Sequence, residues 1–96
     1  MATFVVLASF TDQGIKGVKD TVKRAQGFRD AATAMGVKIK DIFWTFGSYD
    51  VILTMEAPKD EDAAALMLKM GGLGNLKSQT LRAFTESEIT SLTARI

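Results

Sequence analysis

From Thr3 to Phe10 the chain reads Thr-Phe-Val-Val-Leu-Ala-Ser-Phe, a short, almost wholly apolar run rich in aromatic and β-branched residues. Such a run predicts a strand buried on both faces, lying centrally in a sheet. Thr11-Asp12-Gln13-Gly14 breaks it, and from there Ile15, Val18, Val22, Ala25, Phe28, Ala32 and Met35 recur at spacings of three and four. That is one face of a helix. Gly14 and Gly17 fall in its first turns, each costing about 1 kcal/mol against alanine, and Asp20-Thr21 offers a second capping point. An irregular start is expected, with the regular helix running from Thr21 to Met35 and Gly36 as its C-cap.

Asp41 to Glu56 predicts two strands joined by a tight turn at Gly47-Ser48-Tyr49-Asp50. A connection of Ser48-Tyr49 alone, or of Gly47 to Asp50, gives one register, with Phe46 opposite Val51, Trp44 opposite Leu53 and Ile42 opposite Met55. That face is large and apolar. The other pairs Thr45 with Ile52, Phe43 with Thr54 and Asp41 with Glu56, so it is apolar in the middle and charged at its end. Pro58 ends this segment. Asp60 is expected to cap a second helix with Ala63, Leu66, Met67 and Met70 on its apolar face, stopped by Gly71-Gly72-Leu73-Gly74. Leu76 to Phe84 predicts a fourth strand, and Thr85-Glu86-Ser87-Glu88 has the capping-box form before a short helix bearing Ile89, Leu92 and Ile96.

Strand, helix, strand, strand, helix, strand and tail helix is the split βαβ order. It predicts a ferredoxin-like α+β domain: an antiparallel four-stranded sheet with both main helices on one face. The second face of the sheet then carries Phe43, Ile52 and half of the first strand, a surface too apolar to stay wet. At about 25 cal/mol per Å², covering several hundred Å² would contribute many kcal/mol, comparable to the stability of a small domain. A homodimer packed sheet to sheet, or a larger assembly, is expected, with the tail helix closing that interface or docking on a neighbour.

A chain of 96 residues forms one domain over residues 1–96. It has no cysteine and no histidine, which removes thiol chemistry, disulfides, and the commonest general base and metal ligand. Twelve basic against eleven acidic side chains argue against a binder of nucleic acid through its phosphates. The charges are uneven: seven Lys/Arg against three Asp through Lys40, then five against eight from Asp41. No apolar run approaches the roughly 18 residues of a membrane span, and no basic leader opens the chain. A cytoplasmic protein is expected.

The turn Gly47-Ser48-Tyr49-Asp50 resembles the signature of the GYD domain family. So do Thr11-Asp12-Gln13-Gly14-Ile15-Lys16, Gly36-Val37-Lys38, Glu56-Ala57-Pro58, Gly74-Asn75 and Thr80-Leu81-Arg82-Ala83-Phe84, in order and spacing across nearly the whole chain. Val22 departs from the family pattern, which often has proline there. The family is similar to the dimeric α/β-barrel superfamily, and the resemblance implies such a dimer in a bacterial or archaeal cytoplasm. It implies no single activity, because that fold serves sensors, monooxygenases and stress proteins alike.

Six residues are candidates for a ligand site: Lys16, Arg24, Trp44, Tyr49, Asp50 and Arg82. Asp50 and Tyr49 either hold the turn or line a cleft mouth. Trp44 is either core or, with an N–H to satisfy, part of a pocket between sheet and helices. Lys16, Lys19, Lys23 and Arg24 form either a solvated helix face or, with free helix-start N–H groups and Arg82, an anion site. Arg82 otherwise pairs with Glu56 or Asp50. Gly71-Gly72-Leu73-Gly74-Asn75 follows a helix instead of opening one, so it is a cap and turn and no phosphate loop. Asp60-Glu61-Asp62 lacks the geometry of a metal site, and no metal or cofactor is expected. The function expected is a small-molecule-binding or interaction module without catalysis, its ligand small or anionic. The alternatives are a cofactor-independent monooxygenase or isomerase using Tyr49 with Asp50, and a purely structural oligomer.

Overall fold

The structure, a computed structural model describing residues 1–96, converts the first apolar run directly into alternating burial. In β1 (Ala2–Phe10), Phe4, Val6 and Ala8 are buried, whereas Val5 and Leu7 between them are only partly covered. Phe4 and Val6 face the helices; Val5 and Leu7 face away. β1 pairs antiparallel with β3 (Val51–Ala57) on one side and with β4 (Leu76–Ala83) on the other, and β2 (Lys38–Trp44) completes the order β2-β3-β1-β4. The first strand is central, as its composition requires.

Helical segments follow the capping chemistry. Thr11 caps the short α1 (Asp12–Lys16), its Oγ1 accepting from the Gly14 N–H at 3.0 Å. A single 3-10 turn at Val18–Asp20 then leads into α2 (Thr21–Ala34), so the glycine-bearing start is irregular as expected. Gly36 follows the helix end at φ +76°, and the Val37 N–H closes on the Ala32 carbonyl at 2.8 Å. α3 (Asp60–Gly71) corrects one expectation: its cap is Lys59, with no side-chain bond, and Asp60, Glu61 and Asp62 fill the first turn. Their charges therefore act on the helix dipole instead of through one capping bond. α4 (Glu86–Thr93) has the full capping box at Thr85 and Glu88.

The hairpin register is a second correction. Trp44 lies opposite Val51, Phe43 opposite Ile52, Ile42 opposite Leu53 and Asp41 opposite Thr54, two residues from the expected pairing. A slip of two leaves every side chain on its expected face, so alternation could not detect it. The connection is consequently longer, Thr45 to Asp50, with the Thr45 N–H donating to the Asp50 carbonyl at 2.8 Å and its hydroxyl to the Tyr49 carbonyl at 2.6 Å. Phe46 is excluded from the sheet and fully exposed. A bulge at Lys40 then turns Ile39 to the helix side, opposite Met55.

One end of the helix-to-sheet layer is packed. Phe4, Val6, Leu53, Met55 and Ala57 of the sheet meet Ala32 of α2, Val37, and Ala63 and Leu66 of α3 in a continuous buried cluster. Across the sheet, the other face presents Phe43, Ile52 and Leu7 in one row, with Val5 beside Leu81 in the next but one. Phe43 is 60% exposed and Leu81 42%. No residue of α4 is buried, and Ile89, Leu92 and Ile96 stand open to solvent. No helix is long and apolar enough to cross a membrane.

Candidate functional site

Beyond Val6 the helix-to-sheet layer is no longer filled. A cavity of about 400 Å³ opens there, floored by Val6, Ala8, Val51 and Leu53 and roofed by α2 and α3. Its origin lies in the α2 sequence, which presents Ala25, Gly27 and Ala31 to this space with only Phe28 as a large side chain between them. Small residues on the helix cannot reach the strands below. Met67 and Met70 line the α3 side, and 14 of the 19 lining residues are hydrophobic. Protein interiors are close-packed, and voids of this size between layers are the usual form of a small-molecule site.

Hydrogen bonds, and not apolar packing, define its rim. Trp44 is 42% exposed, so it is no core residue; its indole N–H donates to Thr21 Oγ1 at 2.9 Å and ties β2 to the start of α2. Arg24 also lines the cavity and donates from Nη2 to the Gly14 carbonyl at 3.0 Å. Thr11 and Gln13 join α1 to the turn after α3: Thr11 Oγ1 donates to the Gly74 carbonyl at 2.5 Å, and Gln13 Nε2 donates to the Leu73 carbonyl at 3.0 Å and to Asn75 Oδ1 at 3.1 Å. The Gly71–Asn75 stretch is thus a docking turn for Thr11-Asp12-Gln13-Gly14. Gly14 must be glycine at this seam, since a Cβ would lie 2.0 Å from the Asn75 carbonyl oxygen.

Of the six candidates, Arg24 and Trp44 meet at the cavity, and Lys16, Tyr49, Asp50 and Arg82 do not line it. Thr11 accepts from the Gly14 and Ile15 N–H groups through its hydroxyl and carbonyl, and Lys16 stands in the last turn of α1, at the opposite end from the helix start. Asp50 holds β1: its Oδ2 accepts from the Phe10 N–H at 2.8 Å, and its own N–H donates to the Ala8 carbonyl at 2.8 Å. Tyr49 reaches Gln79 Oε1 at 3.4 Å, and Gln79 pairs with Leu7 on the face away from the cavity. Arg82 is paired with neither Glu56 nor Asp50. It stacks over Phe84 at 4.4 Å and Phe4 at 5.6 Å, meets Glu88 at 3.7 Å and donates to the Thr3 and Ala83 carbonyls, while Glu56 takes Lys40 at 3.3 Å. No three acidic side chains converge as a metal site.

Lys69, Asn75 and Leu76 also line the cavity and are not among the six candidates, although the sequence does assign Asn75 to a cap and turn. The signal that could have found the cavity is the run of small residues at Ala25, Gly27 and Ala31, facing a strand that carries Trp44 and Ile42.

Comparison with solved structures places this fold among known ones. The structure is similar to MtbAldR, with a TM-score of 0.69 and 12% identity over 88% of this chain, which spans only 52% of that protein. It is similar to FFRP-DM1 at TM-score 0.62 and 17% identity, covering 88% of this chain and all of the other. A hypothetical protein from Pyrococcus horikoshii matches at TM-score 0.57 and 18% identity over 90% of this chain and 93% of its own. At these identities the likeness concerns the fold. No curated protein sequence matches. The GYD domain model matches residues 4–93, and the chain belongs to the GYD domain family.

Proposed function

We propose that this chain is a homo-oligomeric module that binds a small molecule, without catalysing a reaction on it, in the cavity between its helices and sheet. The observation that carries this reading is the cavity itself, an apolar space of about 400 Å³ in a domain whose other end is tightly packed. The only ionisable groups lining it are Arg24 and Lys69, so the cavity wall offers cations for binding and no carboxylate as a general base. The Asp50 carboxylate of the Tyr49-Asp50 pair is already engaged by the Phe10 N–H. Assembly through the open sheet face is supported by the apolar row Phe43, Ile52 and Leu7 and by the Val5–Leu81 pair two residues along β1. Copies joined there leave both cavities free, since the cavity opens on the opposite side of each sheet.

A native mass spectrum of the purified protein tests both halves of the proposal. A dimer or larger closed assembly is expected, carrying a reproducible added mass or taking up apolar small molecules one per chain. A monomer would sink the assembly, and a protein that takes up no small molecule would sink the cavity reading.

A further inference from the structure

The cavity is apolar inside, yet its two ionisable lining residues are both cations. Arg24 and Lys69 line it together with no acidic side chain at all. Neither takes part in the ion pairs of the chain, which join Lys40 to Glu56 at 3.3 Å and Arg82 to Glu88 at 3.7 Å. Arg24 is partly buried, and the Gly14 carbonyl engages only one of the five N–H donors that a guanidinium carries. A charge taken part-way out of water beside apolar surface gains from a counter-charge, and no acidic side chain lining the cavity supplies one.

We infer that the cavity takes an amphiphilic monoanion: an apolar chain or ring lying against Phe28, Met67 and Met70, with a single carboxylate held by Arg24. This rests on the reading of the cavity as a ligand site and names its ligand class. A planar guanidinium with free donors suits a carboxylate, which it can hold by two parallel hydrogen bonds. The methionines suit an apolar tail of irregular shape. The same wall disfavours zwitterions and amines, because nothing lining it would pair with an ammonium group.

Trp44 is the chain's only tryptophan and lines the cavity, so its fluorescence reports occupancy. The test is a titration of the full-length protein with decanoate, decanol and decylammonium, three probes sharing one tail and differing in head charge. Saturable binding is expected in that order of affinity, with decanoate at least about tenfold tighter than decanol. Arg24→Gln should lower decanoate affinity about tenfold or more relative to decanol. Equal affinity for decanoate and decanol, or an unchanged decanoate affinity in Arg24→Gln, overturns the anion assignment while leaving the cavity a binding site. No saturable response to any probe overturns the cavity reading and this one together. If Arg24→Gln loses both decanoate and decanol, Arg24→Lys decides: recovery of both probes supports the assignment, and recovery of decanol alone overturns it.

Discussion

The two ends of the helix-to-sheet layer are held by different physics. At the packed end Met55, Leu66 and Val6 are completely buried, and cohesion comes from apolar surface removed from water. At the hollow end the space between the layers is open, and the elements are held by bonds around the rim: Trp44 to Thr21, Arg24 to Gly14, Thr11 and Gln13 to the 73–75 turn, and Asp50 to Phe10. A small domain can keep a cavity without losing its fold when directional bonds replace packing where the packing stops. The packed end sets stability, and the rim sets the shape of the cavity.

The largest effect should come from hollowing the packed end. Met55→Ala is expected to cost about 2–5 kcal/mol in urea unfolding, as large-to-small substitutions in a full core do. Gly14→Ala should cost about 3 kcal/mol, because its methyl group would meet backbone that cannot turn aside, and Trp44 fluorescence should shift as the rim opens. Asp50→Ala should cost about 2 kcal/mol by leaving the Phe10 N–H without its carboxylate, and Asn, which keeps an acceptor oxygen, about half of that. Gly27→Ala should go the other way. Its methyl group would meet nothing within 4 Å, so the gain in helix propensity, about 1 kcal/mol, is expected to appear as a higher Tm. Should Gly27→Ala destabilise the protein, or Met55→Ala cost less than 1 kcal/mol, the contrast between the two ends would be lost.

The smallest effect is acid fraying of α4. The Thr85 backbone N–H, donating to the Glu88 carboxylate, holds the Glu88 pKa below its ordinary value; desolvation is the next-largest influence and opposes it, and the Thr85 side chain and Arg82 add smaller lowering effects. A carboxylate with a lowered folded pKa stabilises the helix above its unfolded pKa and loses that contribution as pH falls through the folded value. Glu88 is partly exposed and its carboxylate pairs only with Thr85 and Arg82, so the change should be confined to the start of α4 and should set in as pH falls below the ordinary glutamate value. The Thr85 amide resonance followed by NMR should report it, and Glu88→Gln should abolish its pH dependence.

Element types and their order could be read from the sequence because each carries a local cause: β-branched runs for strands, Thr85 with Glu88 for the last helix, Gly36 for the end of α2. The strand register could not. A slip of two residues preserves alternation, and the longer turn is held by Thr45 bonding to Asp50 and Tyr49 and by Asp50, whose carboxylate and N–H bind β1. Residues in a turn that answer to a strand distant in sequence leave no local trace. The site was visible only in part for a similar reason. Arg24 and Trp44 could be named from their chemistry, but the cavity that joins them is an absence of side chains. An absence becomes evident only when Ala25, Gly27 and Ala31 are set above Ala8.

The strand order β2-β3-β1-β4 also dictates a timetable. The first strand to leave the ribosome finds its neighbours last: Ala2 waits for Ala57, and Thr3 for Ala83. Until β4 emerges, a nearly continuous apolar strand has at least one unpaired edge, the condition under which nascent chains aggregate or recruit chaperones. Pairings this distant also make folding slow relative to helical domains of equal length. A stall in translation between β3 and β4 should therefore leave this protein still exposed, with its central strand only half enclosed.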